Sequence, residues 1–100
     1  MILHVVMLNL ADSAPCAALD EVMSGLAALG AQLDGFLDFA HGQNIDAEGK
    51  SPDHPYGFCC TFRDRAALDR YAADADHRAL GARLVALCNG GADGIVVYDS

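Results

Sequence analysis

The chain has no apolar run of eighteen residues, so nothing in it reads as a transmembrane helix. It is poor in positive charge: six Lys and Arg stand against fourteen Asp and Glu, a formal net charge of −8. That balance argues against nucleic acid or an anionic membrane as partner. Five of the six basic residues, Arg63, Arg65, Arg70, Arg78 and Arg83, fall in one stretch that reads as a solvated helix surface. The sequence also lacks C-x-x-C, H-x-x-x-H, a phosphate-binding glycine loop and a serine-centred nucleophile elbow. No metal and no cofactor is therefore expected. A basic leader segment is missing too, and the apolar start reads as a strand, so a cytoplasmic protein is expected. Cys59 and Cys60 are adjacent and would point to opposite faces of a strand. All four cysteines are expected to be reduced, buried and packed as small apolar residues.

What the chain has is apolar patterning. One hundred residues, 53% of them hydrophobic, make a single domain spanning 1–100. Ile2, His4, Val6 and Leu8 share one face of a first strand, and Leu3, Val5 and Met7 share the other. A strand apolar on both faces is central and covered twice. Asp12 or Ser13 caps a helix with Pro15 in its first turn and a stripe at Leu19, Val22, Met23, Leu26, Leu29 and Leu33. After the Asp34-Gly35 turn, strands follow at 36–44 and 56–63, separated by a Pro- and charge-containing exposed loop. Asp64 caps one helical segment. Asp74 caps another, which holds Leu80, Leu84, Leu87 and Cys88 and ends at Asn89-Gly90-Gly91. A closing strand covers 94–99.

The order β-α-β-β-α-β, with the second helix broken in two, is the ferredoxin-like α+β arrangement. Its four-stranded antiparallel sheet carries helices on one face only. Several Val, Leu, Ile or Phe side chains left wet on the other face would each forfeit about 1.5–3 kcal/mol. A homodimer with two such sheets facing each other, a dimeric α/β barrel, needs no other partner chain.

Leu3-His4-Val5-Val6, Gly42-Gln43-Asn44 and Phe58-Cys59-Cys60-Thr61-Phe62 resemble the stress-responsive dimeric α/β barrel (Dabb) domain family. So do Leu68-Asp69-Arg70-Tyr71 leading into Asp76-His77, and the closing Val97-Tyr98-Asp99. The likeness runs over nearly the whole chain. One departure is Asp74-Ala75-Asp76, where members usually carry His-Pro. The resemblance implies a candidate catalytic set, His4, Tyr71 and His77, which matches the residues that some plant members use to cyclise polyketides without metal or organic cofactor. It also implies a cavity between sheet and helices for a small apolar or aromatic molecule. Strand parity gives that cavity Val6 and Leu8, and the likeness adds Phe58, Ile95 and Val97. Related barrel dimers include cofactor-independent monooxygenases and lactone isomerases.

Two functions from different classes are compatible with these residues. One is a dimeric stress-response domain that binds such a molecule. The other is a cofactor-independent acid/base enzyme, a cyclase, lyase, isomerase or monooxygenase, in which a histidine removes a proton and Tyr71 steadies the resulting enolate. His41, His54, Asn9 and Asn44 are expected to be exposed or satisfied strand-end and loop residues.

Overall fold

In a computed structural model that describes residues 1–100, the elements are β1 (Ile2–Leu8), α1 (Cys16–Gly30), β2 (Phe36–Gln43), β3 (Tyr56–Phe62), α2 (Arg65–Ala73), α3 (Ala75–Val85) and β4 (Ile95–Asp99). A short 3-10 turn, Gly91–Gly94, leads into β4. The sheet order is β2-β3-β1-β4, and every neighbouring pair is antiparallel. This is the ferredoxin-like fold that the alternation of strand and helix signals predicts.

Register decides which side chains meet. His4 lies opposite Cys60 on one side and Asp99 on the other, Val6 opposite Phe58 and Val97, and Leu8 opposite Tyr56 and Ile95. Cross-strand partners share a face, so these residues form the side that the helices cover. The α1 stripe Leu19, Val22, Met23, Leu26 and Leu29 packs there with Phe58, Cys60, Phe62, Leu68, Tyr71 and Leu84. Cover is uneven. Val6 and Leu8 are buried, but every residue of β4 after Ile95 is exposed. On the opposite face, Leu3, Val5, Met7, Val96 and Tyr98 form an apolar surface with no helix over it. Leu37 is the extra residue of a bulge in β2 and is also exposed.

Local chemistry explains most element ends. Gly35 adopts φ +82° at the turn into β2, and a Cβ there would stand 2.5 Å from that of Ala67. Asp64 accepts a hydrogen bond from the Ala67 amide at the start of α2. Asp74 is extended and ends α2, and its carboxylate accepts from the amides of Asp76 and His77 at the start of α3. The arginine-rich stretch is solvated as expected: Arg63 pairs with Asp34 and Asp64, Arg65 with Asp69, and Arg83 with Glu21.

Three expectations are corrected. Neither Asp12 nor Ser13 caps α1; extended Pro15 takes that place, and its carbonyl accepts from the Ala18 and Leu19 amides. Leu87 and Cys88 lie beyond the last helix, which stops at Val85. Cys88 instead bridges Leu10, and the Asn89 amide donates to the Asn9 carbonyl, so tertiary backbone pairing draws the chain out of the helix. Cys16 is exposed at the head of α1, off its apolar stripe, whereas Cys60 and Cys88 are buried and Cys59 half-buried.

Removing the Asp74 cap tests this account of the helix break. Asp74→Ala is expected to cost about 1 kcal/mol of stability. Urea unfolding checks it: a midpoint equal to that of the unchanged chain would show that the cap does not hold α3.

Candidate functional site

The centre of β1, the last turn of α2 and the first turn of α3 bring His4, Tyr71 and His77 together. The Tyr71 and His77 ring centroids are 3.9 Å apart, and the His4 ring meets Tyr71 edge-on at 5.8 Å. The helix break makes this possible. In an unbroken helix, side chains six residues apart would point about 120° away from each other. Extended Asp74 turns α3 back so that the His77 ring meets that of Tyr71 at a tilt of 38°.

Sequence reasoning missed the fourth member. Asp99, the last residue of β4, lies directly opposite His4, and its carboxylate is 2.5 Å from His4 Nδ1. An ionised carboxylate only accepts, so Nδ1 carries the hydrogen and Nε2 is left with the lone pair in the neutral ring. The signal was present in the parity of β4, where Ile95, Val97 and Asp99 alternate on one face. At the end of an apolar run, however, an aspartate reads as a strand terminus. Cys60 was missed as well. It is fully buried beneath Tyr71 and beside His4 in register.

The electrostatics are those of a dry pocket. Burial pushes the Cys60 thiol up to about 12, an effect partly offset by its contact with the Tyr71 hydroxyl. Burial also raises the Tyr71 phenol, and the neighbouring thiol adds to this. His77 is lowered, first by desolvation and further by the nearby His4; the Ala72 carbonyl and Asp74 act in the opposite sense. His77 is thus neutral at neutral pH. Two buried polar side-chain atoms make no hydrogen bond of full geometry, and both are here: Tyr71 Oη, whose polar neighbour is the weakly bonding Cys60 thiol, and His77 Nδ1. Each unpaired atom of this kind costs about 1–3 kcal/mol.

The remaining expected site residues are placed differently from one another. Val6, Leu8 and Phe58, at 3%, 0% and 7% exposure, are packed core beneath the helices rather than walls of an open cavity. The physical reason is the α1 stripe, which fills the volume over β1 and β3. Ile95 is half-buried and Val97 51% exposed, on the strip of the same face that the helices leave uncovered. The principal concavities of the protomer do not include His4, Tyr71 or His77, so the rings close on one another. His41 is exposed but not idle, since its Nδ1 is bonded to the Tyr56 hydroxyl. Asn44 is satisfied within its loop, and Asn9 Oδ1 accepts from Asn89.

Comparison with known proteins bears on the whole chain. The family described as Stress responsive A/B Barrel Domain matches residues 2–100, and the chain belongs to it. None of the curated proteins matches. A dimeric ferredoxin-like protein of unknown function from Jannaschia sp. is 45% identical, with a TM-score of 0.94 over 99% of this chain and 96% of that one. Hydroxynitrile lyase from Passiflora edulis is 13% identical, with a TM-score of 0.83 over 99% of this chain and 90% of the lyase. SnoaB, a cofactor-independent oxygenase from Streptomyces nogalater, is 18% identical, with a TM-score of 0.75 over 99% and 89%. The last two likenesses show the shared fold.

The neutral state of His77 has a consequence for stability. Its folded pKa lies below the unfolded value, so between the two the unfolded chain binds more protons. The stabilisation is complete above the ordinary histidine value, about 6.5. It is lost as pH falls through that value towards the folded one. Urea midpoints are expected to drop between pH 7.5 and 5.5, and His77→Gln to flatten that drop. An unchanged slope in the variant would refute the assignment.

Proposed function

We propose that the protein is a homodimeric domain that binds a small apolar or aromatic molecule at His4, Tyr71 and His77 through an oxygen of the ligand. The observation that carries this reading is the pair of under-satisfied atoms, Tyr71 Oη and His77 Nδ1, on adjoining tilted rings beside the His4–Asp99 pair. A carbonyl or hydroxyl oxygen of the ligand would accept from the phenol, and a ligand hydroxyl would donate to the imidazole. Ligand entry is over the flank of β4, where Ile95 and Val97 offer apolar surface on the His4 side of the sheet. Val6, Leu8 and Phe58 back the site from within the core.

A second reading is favoured by the His4–Asp99 pair. An imidazole oriented through Nδ1 by a carboxylate presents a basic Nε2, and a neutral His77 is also able to take a proton. With an acidic C–H or O–H substrate, the set would perform cofactor-independent proton transfer, with the Tyr71 hydroxyl steadying the enolate oxygen. Cyclase, lyase, isomerase and oxygenase-like chemistry all begin this way. The fold is shared with a hydroxynitrile lyase and a cofactor-independent oxygenase.

The dimer rests on the uncovered sheet face, where Tyr98 is 66% exposed next to Leu3 and Val96. The dimeric state of the Jannaschia relative supports it. Across that face, Gly42 pairs with Gly57, leaving a trough between Met7, Ala40 and Cys59 that a facing side chain would fill. Nothing lies within 4 Å of a Cβ built on Gly42. Gly42→Val is therefore expected to fold as a protomer yet sediment as a monomer at micromolar concentration. A stable dimer of this variant would mean that another surface mediates association.

For the site, a panel of β-polyketides, unsaturated lactones and phenols assayed without metal or cofactor separates the readings. Turnover falling about 10²–10⁴-fold in His4→Ala and His77→Ala, and less in Tyr71→Phe, marks the enzyme. Ligand-induced melting shifts without turnover, weakened by about 1–2 kcal/mol in the same variants, mark the binding domain. Neither turnover nor binding across the panel would overturn both.

A further inference from the structure

A second cleft lies at the opposite end of the sheet from His4. It encloses about 610 Å³ between the first turns of α1 and the loop joining β2 to β3. That is within the usual size range of small-molecule sites. Leu8, whose row in the sheet contains Tyr56, is four residues along β1 from His4, or about 13 Å at the rise of a strand. The two places are therefore distinct, and occupancy of this cleft is independent of any ligand at His4.

The loop is built rather than slack. Asn44 Nδ2 donates to Ser51 Oγ and to the His54 carbonyl. The Asp46 carboxylate accepts from the amides of Lys50 and Ser51 and from the Ser51 hydroxyl. These bonds hold its carboxyl below the usual range. Asp46 itself takes φ +33°, a conformation non-glycine residues seldom adopt.

The side chains of Asn44, Asp46 and Ser51 are thus used within the loop, while His54 and Gln43 also line the cleft. Across the cleft, Asp20 has neither a hydrogen bond nor an ion pair, while its neighbour Glu21 is taken by Arg83. No Lys or Arg lines the space. Tyr56 spends its hydroxyl on His41 Nδ1 and is also one of the residues that line the cleft. Asp20 lies near enough to Tyr56 to raise its phenol, an effect secondary to burial. Leu10, Leu19, Pro52 and Pro55 supply apolar walls. The partial positive charge at the head of α1 falls off within about one turn, and the full charge of Asp20 outweighs it. No three His, Cys, Asp or Glu side chains converge as metal ligands would.

We propose that this cleft is a second binding site, for a small organic cation. Its ligand is a primary amine with an aromatic or aliphatic body, the ammonium held between the Asp20 carboxylate and the face of Tyr56. Charge pairing and the cation–π contact would reinforce each other, because both place the ammonium at the same spot. The apolar walls would take the body of the ligand.

Three probes of one size and different charge test the proposal on the unmodified protein: 2-phenylethylamine, 2-phenylethanol and 3-phenylpropionate. NMR titration in about 150 mM salt, where exposed charges are screened, reads affinity and location together. The amine is expected to bind at least tenfold more tightly than the alcohol, and the carboxylate not at all. Amide shifts should centre on the start of α1, residues 44–55 and Tyr56. Asp20→Asn, a surface change, is expected to bring the amine down to the affinity of the alcohol. Equal binding of amine and alcohol, binding of the carboxylate, shifts centred on Tyr71 and His77, or no binding by any probe would each overturn it.

Discussion

Strand β1 is hydrogen-bonded on both sides, to β3 and to β4, and its register settles almost everything else. Side chains alternate with a period of two, so a slip of one residue against either neighbour would exchange the faces. Val6 and Leu8 would then face away from the helices, and Val5 and Met7 would lie under them. His4 would also lose Asp99, because that pairing exists only while residue 4 faces residue 99. The driving force for the correct register is burial. The α1 stripe, with Phe58 and Phe62, offers a matched apolar surface to Val6 and Leu8. Turning β3 over instead of β1 would put the smaller Gly57 and the more polar Thr61 under the helices. The polar pair at His4 is thus held in place by apolar contacts two and four residues away.

A second constraint acts on the other wall of the site. Asp74 is at once the end of α2 and the cap of α3. Its side chain satisfies two of the amides that a helix start leaves free, which makes a break at that residue nearly as favourable as continuing the helix. The break folds Tyr71 and His77 onto one another. A chain with alanine at 74 would have a run of good helix formers from Arg65 onward, and the three rings would have no reason to converge. Here a surface aspartate governs the placement of two interior aromatic rings.

The fold was legible because its signals are periodic and redundant. The α1 stripe, the two-faced β1, the Asp64 and Asp74 caps and the alternating Phe58-Cys60-Phe62 strand each report the same architecture. Element ends were less legible. The start of α1 depends on how Pro15 is used, and the end of α3 on Cys88 pairing with Leu10, a tertiary contact between residues nearly eighty apart in the chain. The site was legible in part. His4, Tyr71 and His77 were named from residue type and family resemblance, and they do meet. Asp99 was not assigned to the site, because a charge closing an apolar strand has an ordinary explanation until the β1–β4 register is known. Val6 and Leu8 were given to a cavity because parity tells which face a residue takes, and Phe58 because the family resemblance placed it there. Parity does not tell how far the facing helix fills the space above it.

The energetics of the cluster set it apart from the rest of the core. Ring contacts such as that of Tyr71 with His77 contribute about 0.5–1.5 kcal/mol beyond burial. The unpaired Tyr71 Oη and His77 Nδ1 cost about 1–3 kcal/mol each. Tyr71 makes such contacts with His4, Phe36, Phe62 and His77, and the two unpaired atoms offset much of what they contribute. A phenylalanine at 71 and an apolar residue at 77 would retain most of the packing without the penalty. The cost is borne by the surrounding core of fifteen buried residues. It is confined to the junction of α2 and α3, close to the strip of β4 that the helices leave open. Local rules are broken there while the remainder of the chain obeys them, which is the kind of departure the proposed function would account for. The unpaired atoms, the carboxylate-oriented imidazole and the thin cover coincide at that one place. Each has a separate physical origin, in burial, in strand register and in helix coverage, and it is their coincidence on which the proposed function rests.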